Sequence, residues 1–282
     1  MNSRTFVNLS LLIILIIAIT IYSSSKKNEI DNALLTSLAI NEINEIKIHK
    51  PNNNDIIFIK NEDNIWHMIS PYQIKAHQFR LNTLLGLTQK PIKKSYLIDD
   101  LNLSDYALDK PRAHITFNTT DIYFGKTNAL NNKRYLLTQK KMALLDDQTY
   151  PLVSAHASSF INLSLLDNDF KIIQIETPET SLKLGKNNKW HSSGNNHLNA
   201  DQIQSFLDHW KSVQAFAVHE LVNKKFLGQI TILSNNKKIV FNIVDDDPWL
   251  ILSLPELNIE YHLDKSMKNI LIGVINPDLS NA

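Results

Sequence analysis

The sequence predicts an α+β fold: an N-terminal transmembrane helix followed by two tandem copies of a strand-rich unit, each with antiparallel hairpins packed on a helix. Three observations lead there. An uncharged apolar run opens the chain, short alternating segments follow it, and their series recurs in the second half with a Trp-His pair in the same place.

The opening run is "TFVNLSLLIILIIAITIY", residues 5–22, and no charged side chain occurs between Arg4 and Lys26. At about 1.5 Å per residue, an apolar helix of this length matches a hydrocarbon core about 30 Å thick. The following "IYSSSKK" lacks the A-x-A-like site of a cleavable signal peptide. We therefore expect an uncleaved anchor in the cell inner membrane, with the N-terminus cytoplasmic and the main domain periplasmic. Residues 23–36 read as a polar tether.

Beyond the tether, "NEIKIHK" alternates Ile46 and Ile48 with polar neighbours, the period of a half-buried strand. "NDIIFIKNEDNIWHMIS" reads as a hairpin that turns in "KNEDN" and stops at Pro71. "AHQFRLNTLLGLTQ" has helical spacing. "RAHITFNTTDIYFG" and "RYLLTQKKMALLDD" are two further hairpins.

The second half repeats this order. Trp66 and Trp190 are 124 residues apart, and so are Ala76 and Ala200, and Gln78 and Gln202. "ADQIQSFLDHWKSVQAF" is the matching helix, with Ile203, Phe206, Leu207 and Trp210 on one face. "GQITILSNNKKIVFNI" mirrors "AHITFNTTDIYFG", and "PWLILSLPELNIEYHLD" mirrors "RYLLTQKKMALLDD". The expected organisation is a first repeat over 37–153, a linking helix over 154–168, a second repeat over 169–270 and a tail over 271–282. The Trp-His pairs then mark equivalent strands. Trp66 and Trp190 should face their cores, and His67 and His191 should face away.

The order of strand, Trp-bearing hairpin, Pro, helix, "LNLSDYALDKP", "IYFGKTN" and "RYLL" resembles the bacterial domain of unknown function family 4340. The matching positions are Trp66, the motif Tyr106, Leu108, Asp109 and Pro111, then Gly125 and Tyr135. Ala107 stands where the family usually has Gly, so that turn should have a geometry Ala accepts. The second copy has "LVNKKFLGQ" in place of the Tyr-x-Leu-Asp-x-Pro motif. The resemblance implies a membrane-anchored, exported protein, in some relatives encoded beside ABC-type transporters linked to gliding motility, with no catalytic activity assigned.

Composition narrows the function classes. The 282 residues carry 29 basic and 28 acidic side chains, and no basic run gives a footprint for nucleic acid. Cysteine is absent, which excludes disulfides, thiolate metal sites and a cysteine nucleophile. With only 6 glycines, most turns must be made by Asn. "HELVN" has Asn223 where a helical zinc motif needs a second His, and "SNNK" sits in a hairpin turn. "VDDDPW" lacks the alternating ligands of a calcium loop. Tyr106–Pro111 reads either as a structural corner or as a docking loop. No catalytic residue, cofactor or metal ligand is expected.

The functional expectation is a non-enzymatic accessory or scaffold protein with an envelope protein partner, for which the family resemblance implies an ABC-transporter-associated complex. The alternative is a lipid- or glycan-binding module with its ligand between the two repeats, walled by Trp210 or Trp249.

Overall fold

A computed structural model describes residues 13, 15, 16, 33–194, 198–222 and 225–273. In chain order the elements are β1 (Glu45–His49), β2 (Ile56–Lys60), β3 (Trp66–Ser70), β4 (Ile74–Lys75), α1 (Gln78–Leu85) and β5 (Ser95–Leu97). Next come β6 (Ala113–Phe117), β7 (Thr120–Thr127), β8 (Lys133–Thr138), β9 (Lys141–Asp146) and α2 (Tyr150–Val153). The second half contains β10 (Gln174–Glu176), β11 (Thr180–Leu184), β12 (Trp190–Gly194), α3 (Ala200–Ser212) and β13 (Ala217–Glu220). It closes with β14 (Gly228–Leu233), β15 (Lys238–Asp245), β16 (Trp249–Leu254), β17 (Ile259–Asp264) and α4 (Met267–Leu271).

These strands form two antiparallel sheets, of nine and eight strands. The expected α+β architecture is therefore corrected: sheet dominates and helices are few. The physical reason is visible in the burial pattern. Inward positions alternate along β1, β6 and β8, so sheet faces rather than helical stripes bury the apolar side chains. Among the described residues no helix is long and apolar enough to cross a membrane. This counts against the transmembrane helix, the single-pass inner-membrane location and the orientation drawn from it. The apolar run 5–22 itself lies outside the described residues, apart from Ile13, Leu15 and Ile16, as does most of the tether.

Packing divides the chain into two compact units, Met1–Ile43 with Leu85–Tyr150, and Asn44–Leu84 with Pro151–Ala282. That division does not follow the expected boundary at 154–168. Nor is that stretch a helix: it contains one 3-10 turn, Ala157–Phe160, with isolated bridges at Ile161 and Ser164.

In the first unit the strand order is β6-β7-β8-β9-β5. Ile115, Phe117, Ile122 and Phe124 from the β6–β7 hairpin are buried there with Leu136 and Met142. In the second unit β4-β3-β2-β1 run in order, and Phe58 meets Phe160 edge to face with ring centroids 5.4 Å apart. The eight-stranded sheet, β12-β11-β10-β14-β15-β16-β17-β13, also belongs to this unit. Helix α3 covers that sheet. Its capping box joins Asn199 and Gln202, and Ile203, Phe206, Leu207 and Trp210 are its buried face. Trp210 stacks on Phe241 at 6.3 Å and donates its indole N–H to the Leu271 carbonyl at 3.2 Å.

The internal echo extends to topology. The run β3-β2-β1 matches β12-β11-β10, and β6-β7-β8-β9-β5 matches β14-β15-β16-β17-β13. In both series the strand after the helix travels to the far edge. The two Trp-His pairs are less symmetric. Trp66 is only 1% exposed, whereas Trp190 is half-buried.

Trp66→Ala should cost about 3–5 kcal/mol of stability. Trp190→Ala should cost under about 1.5 kcal/mol, because its site is already open to water. Urea unfolding of the full chain followed by circular dichroism measures both.

Candidate functional site

The site is built where Tyr106, Leu108, Gly125 and Tyr135 come together in the first unit. The 3-10 turn Leu103–Tyr106 ends at Ala107, whose φ of 54° lies in the left-handed region. The expectation of a turn comfortable for Ala is corrected, since this backbone favours Gly. The reversal sends Leu108 inward, where it is buried against Gly125. A Cβ on Gly125 would collide with the Tyr106 carbonyl oxygen and lie 3.0 Å from Leu108. Gly125 also falls where the β7–β8 register shifts, between Phe124 and Thr127.

Arg134 fixes the other side of this corner. It points inward from β8, is 6% exposed, and donates through Nη1 to the Gly125 carbonyl. Its Nη2 donates to Asp147 at 2.7 Å, and the guanidinium lies 3.8 Å from the centroid of Tyr150. A carboxylate, a carbonyl and a ring face together compensate this buried cation, while its Nε finds no hydrogen-bond partner among the described residues.

On the outer side of the corner Tyr106 and Tyr135 meet edge to face, with centroids 4.8 Å apart. Asn128 donates its amide to the Tyr135 hydroxyl at 2.6 Å. These rings form one wall of a cleft of about 390 Å³. Tyr96 of β5 forms the opposite wall, with the Lys94 ammonium 4.9 Å from its ring centroid. Lys93 and Lys133 also line the cleft, while Met142 and Leu144 give it apolar surface. No carboxylate is among its described lining residues. Lys133 is also 3.6 Å from Asp146 at the surface. The arrangement offers ring faces, amide donors and three cations to something anionic.

Of the residues singled out in the sequence, Tyr106, Leu108, Gly125 and Tyr135 thus lie together. Asp109 is exposed, and Pro111 is half-buried just before β6. Trp66 and Trp190 belong to other strands, β3 and β12. Trp210 is fully buried on the inner face of α3, whereas Trp249 is 44% exposed. His219 and Glu220 of "HELVN" are on strand β13 rather than a helix. In "VDDDPW", Asp246 is bonded to Lys268 and Asp247 to Lys265. Among the described residues no group of three or more His, Asp or Glu side chains is placed to hold a metal ion.

Sequence reasoning overlooked Arg134 and the lysine pair. For Arg134 a signal existed: it shares the buried phase of β8 with Leu136 and Thr138, an unusual position for a cation. Lys93, Lys94 and Tyr96 had no such signal, because the short exposed strand β5 alternates nothing.

The first unit is an antiparallel-sheet module with a cleft lined by tyrosines and lysines. A family model described as a domain of unknown function (DUF4340) matches residues 66–234, and the chain belongs to that family. The match runs from within the first expected repeat to within the second. No curated protein and no solved structure matches the chain.

Three substitutions test the corner. Gly125→Ala should destabilise by about 1–3 kcal/mol through overpacking. Arg134→Ala should cost about 3–5 kcal/mol, because Asp147 loses its buried partner. Ala107→Gly should stabilise by about 1 kcal/mol by relieving the left-handed backbone. Chemical denaturation of the full chain reads all three.

Proposed function

We propose that the chain is a non-enzymatic accessory module of a protein complex, and that the cleft of the first unit holds an acidic, extended segment of a partner. The single observation that carries this reading is the set of Lys93, Lys94 and Lys133 around a cleft with no carboxylate among its described lining residues, next to strand β5. In the sheet order β5 pairs with β9 and stands at the end. Its three residues are all exposed, including Tyr96 at 40% and Leu97 at 59%. A free strand edge supplies backbone donors and acceptors to an added strand, and pockets beside it select the side chains. Here the selection would favour carboxylates.

Lysine suits this role because its ammonium is a hydrated point charge on a flexible stem, able to follow a moving acidic segment. The tyrosine faces contribute rigid contact area at little cost in side-chain entropy. The wider setting, an ABC-transporter-associated assembly, rests on the family resemblance alone.

The test uses a fluorescein-labelled hexapeptide of alternating Val and Glu. It should bind the full chain at low ionic strength, and fluorescence anisotropy should register a loss of about tenfold or more with K93E/K94E/K133E. Binding should also weaken with added salt, since these charges are exposed. Equal binding of a Val-Thr peptide, or indifference to the three charge reversals, would sink the proposal.

A further inference from the structure

A second cleft, in the second unit, has a different chemistry. Its volume is about 570 Å³, and it is lined from three parts of the chain: the start of α1, the segment around the 3-10 turn Ala157–Phe160, and edge strand β13. Arg80, His77, His156 and His219 supply its nitrogen-bearing side chains, and Glu220 is its one lining carboxylate among the described residues. Arg80 is half-buried and takes part in no ion pair among the described residues.

The remaining wall is apolar. Leu163, Phe216, Val218 and Val222 line it. Phe216 is 54% exposed and leans on Trp249, itself 44% exposed, with centroids 5.1 Å apart. Val222 is 79% exposed. Three large apolar side chains left in water beside a basic rim are unusual for a surface that meets only solvent.

We infer that this cleft binds a single-headed carboxylate amphiphile, with the carboxylate on Arg80 and the apolar tail along Phe216 and Trp249. Charge complementarity and volume both favour that occupant. A guanidinium presents two parallel N–H donors that match a carboxylate. A cleft of this volume lies in the range that accommodates small organic ligands, and its mostly apolar wall with a few polar groups is the usual pattern of such sites.

The histidines tune the site. Burial holds His77 below the usual imidazole range, and neighbouring Arg80 adds to the effect. Burial likewise lowers His219, with contributions from His262 and His156, opposed by Glu260. His219 and His262 are ring to ring at 4.7 Å, and His262 hydrogen-bonds Glu260 at 2.9 Å. Glu220 also lines the cleft. Both depressed imidazoles are therefore neutral at pH 8 and gain charge below the ordinary histidine range. A bound carboxylate favours the protonated forms, so affinity must rise as the pH falls.

Isothermal titration of the full chain with dodecanoate, below its micellar concentration, tests the inference. One site per chain is expected, binding several-fold tighter at pH 6 than at pH 8 and about tenfold weaker in Arg80→Gln. Phe216→Ser, on the exposed wall, should weaken binding as well, while K93E/K94E/K133E leaves it unchanged. Trp249 emission should shift on binding in the unsubstituted chain. Equal affinity for dodecanol would overturn the assignment, because the head would then contribute nothing. So would tight binding of acetate, no saturable site, or capture of dodecanoate only as part of an anionic vesicle.

Discussion

A buried arginine and a glycine without room for a methyl group hold the first unit together. Gly125 lets the Tyr106–Leu108 corner press against β7, and its carbonyl then accepts from Arg134, whose Nη2 donates to Asp147. Each partner constrains the next. Without the close approach at Gly125, Leu108 could not be buried there. Without Asp147 and the Tyr150 ring, Arg134 would be an uncompensated charge in the sheet interior. The tyrosine wall of the cleft stands beside this lock, since Tyr106 ends the turn before Leu108, Tyr135 follows Arg134, and the two rings meet edge to face.

Much of the sheet was legible in the sequence and most of the site was not. Ile46 and Ile48, or Ile230 and Ile232, alternate with polar neighbours and are fully buried in strands. The helix bearing Phe206 and Trp210 was equally plain from its apolar spacing alone. Over 154–168 the expected linking helix gives way to one 3-10 turn, with the chain pinned by bridges at Ile161 and Ser164 that no local period records. The membrane assignment rested on local hydropathy, which carries no information about the two sheets that dominate the fold. The clefts were illegible for another reason. Lys93, Tyr96 and Lys133, or Arg80 and His219, meet only through strand order, and no local period records such meetings.

The two sheets share a strand order, and each carries a cleft beside its last strand. Strand β5 and strand β13 occupy equivalent edge positions after equivalent helices, and each borders one cleft. The first carries Tyr96 beside lysines, the second His219 and Glu220 beside an exposed aromatic pair. Similar strand orders thus carry two surface chemistries. The second copy also lacks the Tyr-x-Leu-Asp-x-Pro corner, and with it the tyrosine wall. Divergence of this kind is cheap at sheet edges, where side chains are exposed and substitutions leave the core undisturbed.

The central claim is that the chain works by holding a partner at the tyrosine–lysine cleft, and photocrosslinking addresses it most directly. A benzoylphenylalanine placed at Tyr96 of the full chain, in the cells that produce it, should yield one discrete adduct with a protein. That adduct should vanish when Lys93, Lys94 and Lys133 are replaced by Glu. An adduct unaffected by those charges, or none at all from a chain that folds normally, would contradict the account.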